Sequence, residues 1–526
     1  MSGDDPRARQ GARPARSYDF IVCGSGSSGS VVARRLAENR DVSVLLLEAG
    51  GSDNHPEILE PGRWTANLGS ERDWNFLAEP SPDVNGRSVP MDMGKVLGGG
   101  SSINAMTWAR GHQSDWDFLA SESGDEAWGH ASVLGIYKQI EDWHGSPDPA
   151  HRGTGGPMFV APSPAPHPLV AALLDGARSV GISTFESPNG RMMEGSGGAA
   201  SRDMIVRDGV RQSVFRSYIA PILGQPNLTV MTRAIVTRLT FVGRRASGVE
   251  ILSDGILQRI EAGREVILSL GAINTPKVLM QSGIGDAAEL AHFGIPILEH
   301  LPGVGRNLQD HAGFSCVWEQ GDAPLPHDNH AEATFYWRSE AALAIPDMFV
   351  CQLGVPFASV ENIALFGRPE RGWTLHGAVA RPRSRGRVHL TGPGPLDPIR
   401  IEANFLSHPD DMEIAVACVE LCRAIGNSAP LRPFVKREVM PGHLTGLELR
   451  HFIRNDVMSY YHATCTAKMG RDPMAVVDGT LAVHGLEGLR IADGSILPRV
   501  TIGNTMAPCV VIGERAAGMI KARHGC

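Results

Sequence analysis

No apolar run in this 526-residue chain reaches the roughly 20 residues that a membrane-spanning helix requires. Residues 1–16 are polar and carry Arg7, Arg9, Arg13 and Arg16, without the apolar core of a signal peptide. That stretch reads as a disordered tail. An excess of positive charge is also missing. The formal net charge is −8, which argues against nucleic acid as the main partner. The eight cysteines are scattered and form no C-x-x-C pair. Cys418 and Cys422 stand four apart on a predicted helix, as one face of that helix rather than a ligand set. Buried free thiols in a reducing cytoplasm are the expectation. No His/Cys/Asp cluster has ligand spacing, so no metal is expected. Internal repeats and long low-complexity tracts are absent too. What remains, 42% hydrophobic and 20% charged residues, describes a soluble globular protein. The length exceeds one ordinary core, so two or more domains are expected.

The most informative stretch is residues 18–51, YDFIVCGSGSSGSVVARRLAENRDVSVLLLEAGG. Residues 18–23 are a short apolar run rich in β-formers, residues 31–36 begin a helical pattern, and residues 42–47 make a second buried strand. Between the first strand and the helix, Gly24, Gly26 and Gly29 form G-x-G-x-x-G. Glu48 closes the second strand nineteen residues beyond Gly29. Each part has a physical job. Gly24 permits a tight turn, Gly26 lets backbone approach a pyrophosphate, and Gly29 lets helix pack on strand. The helix N-terminus offers free N–H groups and the positive end of its dipole. Glu48 can accept hydrogen bonds from a ribose diol and would repel a 2′-phosphate. The pattern predicts dinucleotide binding. By itself it does not separate FAD from NAD.

Further along, residues 52–93 are loop-rich, with prolines at 56, 61, 80, 82 and 90. Residues 94–111, GKVLGGGSSINAMTWARG, give a backbone free to crowd a flat ligand, with hydroxyls and Asn104 for its polar atoms. Residues 145–204 are rich in Gly, Pro, Ser and His and read as a crossover. Residues 228–251 read as β-hairpins with a turn near Gly243. A buried strand at 266–270 runs straight into GAINTPKVLMQSGIG, residues 271–285, which repeats the strand–glycine–helix logic. Residues 312–450 change character. Strand-like DMFVCQLGV and GRVHL mix with loops and one clear helix at 412–425, as expected of a second domain. Residues 503–520 look like a glycine-started helix.

Taken together, GKVLGGGSSIN at 94–104, GAINTPKVLMQSGIG at 271–285, PGVGRNLQDH at 302–311, YYHATCTAKMG at 460–470, ADGSILP at 492–498 and GNTMAP at 503–508 resemble, in order, the signature segments of the glucose–methanol–choline (GMC) family of FAD-dependent alcohol oxidoreductases. The resemblance runs from about residue 18 to 520. It implies an α/β fold, with a Rossmann-like FAD-binding domain and a second, substrate domain built on an antiparallel sheet flanked by helices. The cofactor domain would be discontinuous, from residues 17–155, 205–311 and 455–526. The substrate domain would come from 156–204 and 312–454.

Roles carry over position by position. Gly24, Gly26, Ser27, Ser28 and Gly29 would hold the pyrophosphate, with Glu48 and Ala49 at the adenosine ribose. Val236 would meet the adenine through its backbone. Val96, Gly98, Gly99, Ser101, Asn104, Ala105 and Met106 would line the isoalloxazine. Asp493 and Gly494 would support the diphosphate–ribityl region, and Asn504 and Thr505 would flank the ring. Some members link FAD covalently through a histidine where this chain has Ile103, so FAD is expected to be non-covalent.

Alcohol oxidation requires a hydride acceptor and a base for the hydroxyl proton. The resemblance gives the base role to His462 and the pairing role to Asn504, whose amide can orient the substrate oxygen but cannot take a proton. Tyr460 and Tyr461 are pocket candidates. His311 reads first as a structural hydrogen-bonding residue and second as a pocket residue. Within the family the chain looks most like the bacterial branch that oxidises primary alcohols on rings. The expected reaction is therefore oxidation of a ring-borne CH2OH, such as that of pyridoxine, with O2 as acceptor. A dehydrogenase acting on another aryl, alkyl or choline-like alcohol with a different acceptor, and a flavin-containing lyase, are the alternatives. A monomer or small homo-oligomer is expected.

Overall fold

A computed structural model describes residues 16–163, 166–324 and 331–526. The predicted disordered tail lies outside these residues except for Arg16, whose carbonyl accepts the Glu261 N–H at 2.9 Å.

The chain opens with strand Ser17–Cys23, helix Ser27–Ala37 and strand Val44–Leu47. Phe20 to Cys23 and Val44 to Leu47 are fully buried, as expected for strands covered on both faces. Four parallel neighbours follow one another in the order Leu228–Met231, Val44–Leu47, Ser17–Cys23 and Ile256–Leu268, with Leu489–Ile491 parallel to the last of these. The 13-residue strand Ile256–Leu268 serves two environments. Its first half pairs antiparallel with Arg245–Ser253, which pairs in turn with Ala234–Val242. That half is largely exposed, while its last four residues are buried on both faces. Helix Gly271–Gln281 follows, and C-terminal helix Met506–His524 packs on Ser27–Ala37. That contact is close. A Cβ at Gly513 would lie 2.7 Å from the Ser28 carbonyl oxygen.

The second sheet is largely antiparallel. Its order is Val435–Met440, Ala312–Gln320, Gly372–Val379, Met348–Leu353, Ala333–Trp337, Gly198–Ser201 and Thr184–Phe185, with Met458–Ser459 beside the start of Ala312–Gln320. Every residue of Gly372–Val379 and Met348–Leu353 is buried, so this sheet is covered on both faces. Helix Pro409–Gly426 lies against it. Trp318 stacks on Trp373 with centroids 4.5 Å apart, and a Cβ at Gly426 would lie 2.1 Å from the Trp318 ring. The mixed α/β architecture of the sequence reading is thus present.

The region read as a crossover, residues 145–204, holds more structure than its composition suggests. It contains strand Met158–Pro162 and helix Pro168–Ser179, whose first turn is capped by His167 Nδ1 accepting from the Leu169 N–H at 3.1 Å. Its strand Gly198–Ser201 joins the second sheet through Ala333–Trp337. All eight cysteines are free, and Cys418 and Cys422 are buried on helix Pro409–Gly426. Among the described residues no helix is long and apolar enough to cross a membrane, and no group of three or more His, Cys, Asp or Glu side chains could hold a metal.

Candidate active site

One large cavity runs between the two sheets, from the first glycine turn to the loop that carries His462. At the near end the three glycines do different work. Gly24 has φ +100°, and a Cβ there would lie 2.3 Å from the Ser269 carbonyl oxygen. A Cβ at Gly29 would lie 1.9 Å from the Gly24 carbonyl oxygen, so this residue sets the distance between helix and turn. Gly26 has nothing within 4 Å of its Cβ position and faces the cavity. Gly100 and Gly271 are open in the same way. Helix Ser27–Ala37 has no acidic residue in its first turn, leaving its dipole free to meet an anion.

Glu48 lines the same end. Its Oε2 accepts from the Ser25 N–H at 3.1 Å and from the Ser25 hydroxyl at 2.6 Å, and its Oε1 accepts from the Gly50 N–H at 2.9 Å. Burial nevertheless pushes its pKa up. The Gly98 N–H donates to Ser25 Oγ at 3.1 Å, which ties the second glycine segment to the first. Asp493 accepts from the Gly271 N–H at 2.9 Å, from Thr275 Oγ1 at 2.6 Å and from the Ser495 N–H at 2.8 Å. That carboxylate joins two segments distant in sequence, 271–275 and 493–495, at one wall of the cavity.

The far end is built by two short antiparallel passes. Ala312 pairs with Ser459 and Gly313 with Met458, so His311 and Tyr460 emerge side by side. The Tyr460 N–H donates to the His311 carbonyl at 3.2 Å. Asp310 fixes the loop further, with Oδ1 accepting the His462 N–H at 3.0 Å and Oδ2 accepting the Ser459 hydroxyl. Here His462 Nδ1 lies 2.9 Å from His311 Nδ1, and His462 Nε2 lies 3.1 Å from Asn504 Nδ2. With the asparagine N–H donating, Nε2 is an acceptor and the imidazole proton is on Nδ1, donated to His311. Burial holds the pKa of His462 well below the ordinary histidine value, with His311 and Arg202 adding to the effect. Burial likewise holds His311 down to about 4, outweighing the nearby Ala380 and Thr501 carbonyls. Both rings are therefore neutral at pH 7. Asn504 Oδ1 is shielded from solvent and bonds no protein group.

Most of the residues singled out in the sequence reach this cavity: Gly24, Gly26, Ser27, Ser28, Glu48, Ala49, Gly99, Ser101, Asn104, Ala105, Tyr460, Tyr461, His462, Asp493, Gly494, Asn504 and Thr505. Five sit behind its wall. Gly29 packs helix on turn. Val96 is buried beside Ile58 and Ile103. Gly98 and Met106 shape their loop with φ of +91° and +55°. Val236 lies within strand Ala234–Val242, paired with Ile251. The hydroxyl of Tyr460 is spent on the His376 carbonyl at 2.8 Å, so this residue offers the cavity a ring face rather than a donor.

Three contributors were not read from the sequence. His376, from strand Gly372–Val379, stacks on Tyr460 at 4.6 Å and is held neutral by burial, its pKa pushed down to about 3. Asp92 sits close to Asp73, and burial together with that second carboxyl raises it to about 7. Arg202 lines the cavity at 2% exposure, with Nε and Nη1 unbonded. Only the charged Arg202–Asp203 step after the small residues of GAASRDM could have marked it.

A glycine turn at a helix N-terminus, a buried carboxylate beside it and a neutral histidine–asparagine pair on one cleft are the features expected of a dinucleotide-dependent α/β oxidoreductase. The open backbone at Gly26, Gly100 and Gly271 and the unbonded Asn504 Oδ1 fit FAD. Profiles of GMC oxidoreductase match residues 18–313 and 382–513. The chain is 36% identical to an oxygen-dependent choline dehydrogenase of Brucella anthropi, over 96% of each chain. Its fold superposes on pyridoxine 4-oxidase from Mesorbium loti with a TM-score of 0.91 and 31% identity, covering 96% of this chain and 100% of that one. A formate oxidase of Aspergillus oryzae superposes at a TM-score of 0.89 with 26% identity, covering 98% and 100%. The protein belongs to the GMC oxidoreductase family and is an FAD-dependent enzyme that oxidises alcohols.

Proposed function

We propose that this enzyme oxidises a primary alcohol borne on an aromatic ring to the aldehyde, with His462 as the general base and O2 as electron acceptor. On this reading residues 17–155, 205–311 and 455–526 carry FAD without a covalent link, and 156–204 and 312–454 carry the substrate. Bound FAD supplies the acceptor for the hydride that leaves the alcohol carbon. The protein supplies the other half of the chemistry. Nε2 of His462 presents a lone pair toward the cavity because its partner nitrogen holds the proton against His311. An alcohol hydroxyl entering between Asn504 and His462 can take the amide's place at Nε2 and give its proton there, while the asparagine amide donates to the alcohol oxygen instead. Imidazole is a competent acceptor only when neutral, and burial keeps it so.

The observation that carries the reading is the neutral His462 between His311 and Asn504 at the end of a cleft that fits FAD. The aromatic preference is supported by Tyr460, Phe357, Trp74 and Phe76 on the cavity wall, and by the likeness to pyridoxine 4-oxidase. The choline dehydrogenase relatives favour a second reading, oxidation of a choline-like alcohol. Anaerobic mixing with benzyl alcohol, pyridoxine and choline tests both. Bleaching of the flavin band by a ring-borne alcohol, with colour returning in air, is expected. Bleaching by choline alone would favour the second reading, and bleaching by no alcohol would remove both.

A further inference from the structure

Arg202 follows strand Gly198–Ser201, and its N–H donates to the Glu332 carbonyl at 2.9 Å. Its side chain is unusual in three ways. It is the one arginine or lysine on the wall of the cavity among the described residues. It is 2% exposed, yet it takes part in no ion pair and donates no side-chain hydrogen bond among those residues, with Nε and Nη1 fully shielded. And its charge acts on His462, Tyr460 and Tyr336, so it belongs to the catalytic end of the cavity and not to the glycine turn.

A guanidinium withdrawn from water without a counter-charge costs several kcal/mol in a folded protein and is rarely left so. The adjacent carboxylate does not neutralise it. Asp203 is committed to Arg152 and accepts from Ser187 Oγ and Asn189 Nδ2, both at 2.8 Å. Elsewhere on the wall, Glu48 and Asp493 are held by the hydrogen bonds described above, and Asp92 lies against Asp73.

We infer, on the proposed reading of His462 as base, that the alcohol carries a carboxylate which Arg202 binds, so the substrate class is a hydroxymethyl-substituted aromatic acid. A planar guanidinium presents paired N–H donors that match a carboxylate and a neutral alcohol leaves unused. The same charge disfavours a quaternary ammonium at this end of the cavity, in contrast to choline.

The test compares 4-(hydroxymethyl)benzoate, 3-(hydroxymethyl)benzoate, benzyl alcohol and choline as substrates of the FAD-loaded enzyme with an artificial electron acceptor. One of the two carboxylates should exceed benzyl alcohol in kcat/KM by roughly 10- to 100-fold, as for a charge-assisted hydrogen-bonded pair. In Arg202→Met that ratio should fall toward one, and Arg202→Lys should retain part of it. Benzoate, which cannot be oxidised, provides a separate readout. It should perturb the flavin spectrum of the wild type and bind more weakly to Arg202→Met, whether or not any alcohol reacts. Normal benzoate binding without alcohol oxidation would therefore count against the base reading and leave the anion subsite standing. A wild type that prefers choline or benzyl alcohol, or a ratio unchanged in a folded, yellow Arg202→Met enzyme, would overturn the inference.

Discussion

The Nδ1 atoms of His311 and His462 lie 2.9 Å apart, although 151 residues separate the two in the chain. Two neutral imidazoles at that distance share one proton. The Asn504 amide at Nε2 decides which ring carries it. If His462 held its proton on Nε2, it would face the Asn504 amide donor with a donor, and Nδ1 would keep its contact only by accepting from a His311 protonated on Nδ1. The arrangement therefore selects the tautomer in which Nε2 is free to accept. His311 is a positioning residue in this scheme.

Replacing His311 with leucine removes that acceptor and leaves the His462 tautomer unconstrained. The rate of flavin reduction by saturating alcohol should fall about 10-fold or more, the range of one hydrogen bond to a group that becomes charged. KM should change little, because His311 sits behind His462. Stopped-flow reduction under anaerobic conditions reads both quantities. An unchanged reduction rate would mean that His311 only packs the loop.

Removing the base itself is more severe. His462→Ala should lower the reduction rate by about 10²–10⁴-fold, the usual contribution of a positioned base. The protein should still purify yellow, since the glycine turn, Glu48 and Asp493 are untouched. A colourless variant would place His462 in cofactor binding rather than in proton transfer.

The acid limb of the rate profile follows from burial. The charged form of His462 is disfavoured, so its pKa lies well below the ordinary value of about 6.5, and the neutral form persists as pH falls through that value. Flavin reduction should stay flat from neutral pH through 6.5 and decline only in more acid solution. An inflection at or above about 6.5 would contradict a buried neutral base.

Asn504→Asp inverts that logic. A carboxylate at the same position would stabilise imidazolium, raise the His462 pKa and move the acid limb upward by about one pH unit or more. The rate near neutrality should drop, and raising the pH should recover part of it. Asn504→Ala, lacking the charge, should lose rate without moving the limb. If both variants behave alike, the pairing of Asn504 with Nε2 has no electrostatic role.

How much of this was readable in the sequence depended on how local the cause was. The opening strand–turn–helix–strand was legible because its glycines, apolar runs and closing acid all act within 34 residues. The hairpins around Gly243 and the helix after Gly271 were legible for the same reason. Helix Pro168–Ser179 was hidden, since its Pro, Gly and His neighbours resemble a loop while its burial depends on Leu431 and the second sheet. The motif around His462 named the residue but not its partner. His311 reaches it only because Ala312–Gln320 pairs with Met458–Ser459. His376 lies on a strand of the second sheet and Arg202 just beyond the end of another, where alternation gives burial but not which ligand a side chain faces.

The glycine turn makes the last prediction, because two of its glycines are required for opposite reasons. At Gly26 the backbone has φ −63°, which any residue can adopt, and a Cβ would enter open space on the cavity wall. Gly26→Val should therefore fold, with near-normal circular dichroism, but purify with little or no FAD. At Gly29 a Cβ would overlap the Gly24 carbonyl oxygen at 1.9 Å, and the helix would have to lift off the strand. Gly29→Ala should lose stability before it loses affinity, with poor yield and a lowered Tm even when excess FAD is added. In the wild type, acid precipitation should release the yellow colour to the supernatant, as expected when Ile103 offers no nucleophile for a covalent link. A Gly26→Val enzyme that retains full FAD would mean that the pyrophosphate does not lie along this turn.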